Sequence, residues 1–358
     1  MLVHICCSVD SHYFLQELRR EYPNESLQGF FYDPNIHPFS EHELRFLDVA
    51  RSCAKLNITL HKGEYDYRAW LDGMRGFESE PERGARCQLC FDFRMAKSVE
   101  MALALGERKL TTTLLTSPKK DLKQLEIAMS KQCQPFGIEF FAPDFRKGGG
   151  TQRQFELAKK DKLYHQHYCG CIYGLEQQKR TDFIDEFCCE FRARIMPGSI
   201  EERIEFFKEV MELEDKGIEF DFIKQKFLNY RLLFAHIKHG KKTMKAHILF
   251  YSHFKNKMNR FSVRDLYSED IYVSMKDDIA FLSFNYVNNF YENRFKSFDD
   301  FCKNPPKISE ENALRSSIFE GYNLSPIIVI ESLVEGVFEI KARSEIYSDS
   351  KNKIRLIK

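Results

Sequence analysis

Five short β-rich segments in the first 141 residues alternate with stretches of helical apolar spacing, and this alternation limits the fold more than any other feature of the chain. Leu2–Ile5, Leu27–Tyr32, Ile58–Lys62, Lys109–Leu114 and Ile138–Phe141 read as strands. Ser11–Arg20, Glu41–Leu56, Arg86–Leu105 and Asp121–Lys131 read as helices between them. Repeated strand–helix order favours parallel pairing under a cover of helices, because each crossover lays its helix on the sheet. The expected class is α/β, with a parallel, Rossmann-like sheet over residues 1–180 as one domain and an extension over 181–358 as another. Ligands of such sheets bind beyond the carboxyl ends of the strands. The segments that follow the strands are Cys6-Cys7, Asp33–Pro38, Gly63–Asp66, Thr116–Lys119 and Asp144–Lys147, so thiols and polar groups gather at one predicted edge.

The second half has a different character. Ile200–Leu213 and Phe220–His236 show helical spacing, and Ser325–Lys358 reads as two or three strands around Gly336. The extension is therefore expected to be mainly helical, with an α+β arrangement as the alternative. The chain as a whole has a net charge of +1, yet Phe222–Arg264 holds eleven Lys and Arg and no Asp or Glu, leaving the remainder at −10. Aromatics interleave with these lysines. Lys241, Lys242 and Lys245 are candidates for gripping the phosphate backbone of RNA; docking on the acidic body is the equal alternative. The apolar run Leu324–Leu333 contains Pro326 and Glu331 and is too short for a membrane span. The first residues, MLVHICCSVDSHYF, lack a basic region and a long apolar stretch, so a cytosolic chain without a membrane partner is expected.

Cysteine spacing carries the chemistry. The chain has eleven cysteines, an odd number that argues against a disulfide framework in a reducing compartment. Cys53, Cys133 and Cys302 read as packing residues, as does the pair Cys188-Cys189 in a helix-like segment. Cys6-Cys7, Cys87-x-x-Cys90 and Cys169-x-Cys171 each present two sulfurs to one site. A structural zinc needs four thiolates and an iron–sulfur cluster also takes four, so six leave two for a second metal or a redox dithiol.

The segments HICCSVD (His4–Asp10), FYDPNIHPFSEHELR (Phe31–Arg45), EPERGARCQLCFDFR (Glu80–Arg94), TTTLLTSPKKD (Thr111–Asp121) and LYHQHYCGCIYG (Leu163–Gly174) resemble the cobalamin-independent epoxyqueuosine reductases, the QueH family. The resemblance covers roughly residues 1–175; Val9 and Asp33 stand where the family often has Pro and Asn. It implies an adenine-nucleotide-hydrolase-like α/β fold, a [4Fe–4S] cluster and an adjacent mononuclear iron. It also implies a substrate, epoxyqueuosine at the wobble position of tRNAs with GUN anticodons, and an electron donor that the sequence does not name. The reaction removes the epoxide oxygen as water and leaves an alkene, which needs two electrons and protons.

One partition places the cluster on Cys6, Cys7, Cys87 and Cys90, with Cys169 and Cys171 serving a second iron or a redox disulfide. The reverse puts Cys169 or Cys171 on the cluster and Cys6 or Cys7 on the lone iron. Asp10 reads equally as a first-turn helix acid and as an iron ligand or proton donor. His37 is a catalytic candidate. Asp33, Asn35, Thr116, Ser117, Lys119, Tyr164 and Gln166 are substrate-pocket candidates, with turn or support roles as the alternative. Glu41 and Arg45 read as an ordinary i,i+4 ion pair, and Arg86 and Arg94 as solvated helix charges or tuners of the cluster. Gly148–Gly150 reads as a simple loop. The rival functions are a zinc-stabilised tRNA-binding module without redox chemistry, and an iron–sulfur oxidoreductase acting on a free small molecule.

Overall fold

The computed structural model describes residues 1–117, 122–166, 168–178, 194–264, 270–274 and 278–357. Lys119, Cys188 and Cys189 lie outside the described residues. The chain divides into two compact units, Met1–Arg180 with Arg203–Phe222 and Ile354–Lys358, and Thr181–Glu202 with Ile223–Lys353.

The first unit is built on five parallel strands, β1 (Leu2–Ile5), β2 (Gln28–Phe31), β3 (Thr59–Lys62), β4 (Lys109–Thr112) and β5 (Glu139–Phe140), in the order β3-β2-β1-β4-β5. Its helices are α1 (Ser8–Glu21), α2 (Phe39–Lys55), α3 (Tyr67–Gly73), α4 (Ala85–Ala104), α5 (Leu122–Cys133), α6 (Gly150–Lys160) and α7 (Ile172–Gln177), with most of α8 (Ile200–Asp215). Side chains of β1 alternate between the two faces. Val3 and Ile5 join Phe14, Leu18 and Val49 of α1 and α2, whereas Leu2 joins Met95, Val99 and Met129 of α4 and α5. Burial on both faces explains why β1 is apolar at Leu2, Val3 and Ile5, with His4 its one polar residue; each such apolar side chain contributes about 1.5–3 kcal/mol. The strand order reverses between β1 and β4, and Cys6 follows the carboxyl end of β1 at that reversal. A crevice opens at such a point because the neighbouring crossovers leave in opposite directions. Cys53 and Cys133 pack in these cores as expected.

Gly148 and Gly149 have positive φ (58° and 81°), and Gly150 starts α6, where a Cβ would overlap the Phe145 carbonyl oxygen. The glycine run is thus a folding requirement of this turn.

The second unit is α+β. Its sheets are ordered β10-β11-β12-β8 and β7-β6-β13-β9, from β6 (Phe220–His239), β7 (Lys242–Met244), β8 (Ala246–Ile248), β9 (Met258–Val263), β10 (Ile271–Val273), β11 (Ala280–Ser283), β12 (Ile327–Ile330) and β13 (Gly336–Leu356). Phe281, Ile328 and Ile330 of one sheet pack against Ile237, Phe338 and Ile340 of the other. Helices α9 (Phe284–Phe290), α10 (Phe298–Lys303) and α11 (Ile308–Ile318) add side chains to a further core with Leu282, Ile327 and Val329; Cys302 packs there. The strands expected within Ser325–Lys358 are present as β12 and β13. The helix expected over Phe220–His236 is a correction: the segment is strand β6. Its aromatic spacing imitates a helical face, but the left-handed Gly240 (φ 57°) turns it into a hairpin with β7. Strand preference here is set by cross-strand partners outside the segment. Among the described residues no helix is long and apolar enough to cross a membrane.

Candidate active site

Cys6 and Cys7 form the turn between β1 and α1, with their sulfurs 3.9 Å apart. Asp10 sits in the first turn of α1, and its carboxylate joins the two sulfurs with all three ligand atoms within 4.8 Å of one another. Gln154 Nε2 donates to Asp10 Oδ1 at 2.6 Å. The Cys7 thiol is pushed well up, first by its hydrogen bond with Cys6, then by burial and by Asp10. Two sulfurs and a carboxylate this close repel one another when ionised, and a cation among them relieves that repulsion.

Cys87 and Cys90 lie in the opening turns of α4, where spacing by three residues places both sulfurs on one side. Cys169 and Cys171 flank Gly170, whose φ of 93° favours glycine. The four cysteines 87, 90, 169 and 171 line one cavity with Trp70, Arg86, Phe91 and Arg94. The Cys169–Cys171 segment is held by the loop after β2: His37 N donates to Gly170 O at 2.7 Å, Ile36 bridges to Cys171, and Asn35 Nδ2 lies 3.8 Å from Cys169 Sγ. Arg83 N donates to Cys87 Sγ at 3.2 Å. Burial, then Cys169, pushes the Cys171 thiol up to about 12.

Three buried arginines stand at or beside this cavity: the i,i+4 pair expected for Arg45 is present but buried, and of the two alternatives for Arg86 and Arg94 their burial removes the solvated one. Arg45 Nε donates to Glu41 Oε1 at 2.7 Å, and its Nη1 donates to the Cys169 carbonyl at 3.0 Å. Tyr164 OH donates to Glu41 Oε2 at 2.8 Å. Both charges are buried, so this is a brace for the thiol loop and not an exposed i,i+4 pair. Arg94, one turn beyond Cys90, is ion-paired with buried Asp33 and lies 3.4 Å from His4 Nε2. Burial opposes its charge, yet Asp33, Cys90, Cys6 and Cys169 hold it above its usual range. His4 stays well below its ordinary value through burial, then Arg94. Arg86 is also buried; its Nη1 donates to the Glu78 carbonyl at 2.9 Å, and it stacks over the Tyr173 ring at 5.0 Å. Arg86 and Arg94 are therefore not solvated helix charges. The sequence signals for Arg94 are its i,i+4 spacing from Cys90 and its place in the family-like segment Glu80–Arg94, and nothing marks Gln154.

The remaining candidates fall in different places. Burial pushes the Asp33 carboxyl up to about 6 against Arg94 and Arg45. Among the described residues, Asp33 Oδ2, Asn35 Oδ1 and Gln166 Oε1 are buried acceptors without a hydrogen-bond partner. The His37 ring stacks on Tyr67, with centroids 5.5 Å apart, and burial lowers its pKa. Thr116 Oγ1 turns inward, 2.8 Å from the Thr113 carbonyl, and Ser117 offers its carbonyl to Arg146 Nη1 at 3.3 Å. Lys241 is exposed in the β6–β7 turn and Lys242 is exposed on β7; Lys245 is exposed but paired with Asp299.

The sequence profile of the family described as epoxyqueuosine reductase QueH matches residues 1–177. A Helicobacter pylori protein named epoxyqueuosine reductase QueH is 36% identical over 362 residues, covering 96% of this chain and 97% of its own. A Thermotoga maritima protein of the same name is 31% identical over 182 residues, covering 50% of this chain and 92% of its own. Among solved structures, the U34-tRNA thiolase NcsA from Methanococcus maripaludis with its [4Fe–4S] cluster is 13% identical, with a TM-score of 0.34 over 59% of this chain and 73% of that one.

Proposed function

The chain belongs to the QueH family of epoxyqueuosine reductases, and from that premise we propose that it deoxygenates epoxyqueuosine at the wobble position of tRNA. Two electrons and two protons enter, both epoxide C–O bonds break, a carbon–carbon double bond forms, and the oxygen leaves as water. The observation that carries this reading is the common cavity of the Cys87–Cys90 and Cys169–Cys171 pairs, beside the trio Cys6, Cys7 and Asp10.

The donor set suits two metal centres. Four thiols around one cavity match a [4Fe–4S] cluster, and two thiols with a carboxylate match a lone iron. In this assignment Cys87, Cys90, Cys169 and Cys171 hold the cluster, and Cys6, Cys7 and Asp10 hold the iron. When bound, such groups supply single electrons and a Lewis acid for the epoxide oxygen. The chain's own residues do the rest. Glu41 and Arg45 fix the Cys169–Cys171 loop, and Arg94 keeps a positive charge beside the thiols. The unpartnered acceptors on Asp33, Asn35 and Gln166 would receive the N–H and O–H donors of a hydroxylated nucleoside, orienting it. With Asp10 ligating the iron, His37 would deliver a proton to the leaving oxygen; Asp10 would do so only if it does not ligate the iron. Electrons come from an external donor. The exposed Lys241 and Lys242 would hold tRNA phosphates, whereas Lys245 is engaged by Asp299.

Anaerobic purification with iron and sulfide analysis, joined to nucleoside analysis of tRNA from a deletion strain, tests the reading. A brown protein with more than four irons per chain and accumulated epoxyqueuosine are expected. A colourless protein with one zinc and no accumulated epoxyqueuosine would favour the tRNA-binding module instead.

A further inference from the structure

The sheet β7-β6-β13-β9 has one face in the core and one face open. On β13 the alternation is complete over one stretch: Phe338, Ile340 and Ala342 are buried, while Lys341 and Arg343 between and beyond them are exposed. The register sets Met258 of β9 opposite Lys341 and Arg260 opposite Glu339, so these share the open face. On β6, Ile237 is buried and Lys238 lies across from Thr243, whose hydroxyl meets His236 Nε2 at 3.1 Å. Phe234 stands on the same side of β6 as His236 and Lys238. The open face thus exposes three large apolar side chains, Phe234 (39%), Met258 (57%) and Val337 (37%), among Lys238, Arg260, Lys341 and Arg343.

Two acids share this face. Glu339 pairs with Arg260 at 3.7 Å and Glu345 with Arg343 at 2.8 Å. Lys238 and Lys341 form no ion pair among the described residues, so the face keeps a positive excess. Strands β7 and β9 and the exposed half of β6 all come from the acid-free segment 222–264. An exposed phenylalanine on a sheet face that also carries cations has the chemistry of a platform on which a base stacks while its phosphates meet Lys and Arg.

We propose that this open face is a second RNA-docking surface, which holds the phosphodiester backbone of the tRNA with an unstacked base on Phe234. It rests on the reading that tRNA is the substrate, and it gives the extension a role apart from the thiol cavity.

The test uses the full-length, iron-loaded chain with two RNAs, whole tRNA and a short anticodon stem-loop, each carrying epoxyqueuosine. The triple variant Lys238→Glu, Lys341→Glu, Arg343→Glu should weaken whole-tRNA binding. It should also flatten the slope of log Kd against log salt by about 0.7–0.9 per cation lost. Phe234→Ala should weaken it by about tenfold, with rescue by Phe234→Trp. Turnover of the stem-loop at saturation should match wild type, which also shows that the variants fold. Wild-type affinity and salt slope in the triple variant would overturn the proposal. So would a change from dimer to monomer in light scattering without loss of tRNA binding, since the face would then seat a second copy of the chain. Binding is measured apart from turnover: a wild-type protein that binds tRNA through this face but reduces neither RNA would remove the reductase reading and leave the docking surface standing.

Discussion

Arg45→Met separates a buried brace from a surface ion pair by about an order of magnitude. An exposed i,i+4 pair contributes about 0.3–0.5 kcal/mol. Here Glu41 and Arg45 are both buried, and Arg45 also donates to the Cys169 carbonyl at 3.0 Å. Removing the guanidinium leaves the Glu41 carboxylate in the interior with Tyr164 OH, at 2.8 Å, still bonded to it. It also strips the Cys169 carbonyl of its donor. Breaking a buried pair in this way costs about 3–5 kcal/mol, because a charge is left uncompensated. The double variant Glu41→Gln, Arg45→Met removes both charges and should recover most of that loss. It should not recover the hold on the Cys169–Cys171 loop, so its iron content should stay low. Trp70 is the single tryptophan and is buried beside the cavity, so its fluorescence in urea follows the first unit alone. A loss below about 1 kcal/mol in Arg45→Met would refute the assignment of a buried brace. A double variant with full iron would refute its role in positioning the thiols.

Three further outcomes are expected. His42 is buried and its pKa is lowered, first by burial, so only the unfolded chain takes up its proton readily. Its contribution to stability is present above the unfolded value of about 6.5 and lost below it, at up to about 1.4 kcal/mol per pH unit; His42→Gln should flatten urea stability between about pH 6.5 and 5. Gly150→Ala forces a Cβ onto the Phe145 carbonyl and should cost about 1–3 kcal/mol, read as a lower melting temperature. Arg86→Met should lower the stability of the iron-loaded protein more than that of the iron-free protein in parallel urea titrations; an equal effect on both would show that Arg86 serves packing alone.

Much of the first unit was legible because its information is local. Strands such as Leu2–Ile5 are short apolar runs, helices such as Ala85–Ala104 carry apolar periodicity, and the turns between them collect polar residues and thiols. The edge at which Cys6-Cys7, the loop after β2 and Thr116-Ser117 fall follows from the parallel order alone. What was not legible depends on burial. Glu41 and Arg45 have the spacing of a surface pair, and only the fold reveals that the Cys169 carbonyl and Tyr164 OH close over them. Strand β6 failed for a related reason. Phe227, Tyr230 and Phe234 are spaced as on a helix, yet the hairpin at Gly240 supplies a partner that the segment cannot announce.

The charges around the thiol cavity argue for what occupies it. Arg45 is balanced by Glu41 and Arg94 by Asp33. Arg86 is buried and lines the same cavity, but among the described residues it makes no ion pair; its Nη1 meets the carbonyls of Glu80, Glu78 and Phe77, at 2.5, 2.9 and 3.4 Å. An ionised group taken from water costs several kcal/mol unless an opposite charge answers it. Carbonyl dipoles and the Tyr173 ring lessen that cost without matching a full negative charge. The answering charge is available on the cavity's other walls, in the sulfurs of Cys87, Cys90, Cys169 and Cys171. As neutral thiols they leave Arg86 uncompensated, which fits the burial that pushes Cys171 up to about 12. As thiolates on a metal cluster they carry net negative charge beside it. The cavity is thus electrostatically incomplete with protonated sulfurs and balanced with ligating ones, and that difference favours a thiolate-bound metal group over a set of packed cysteines.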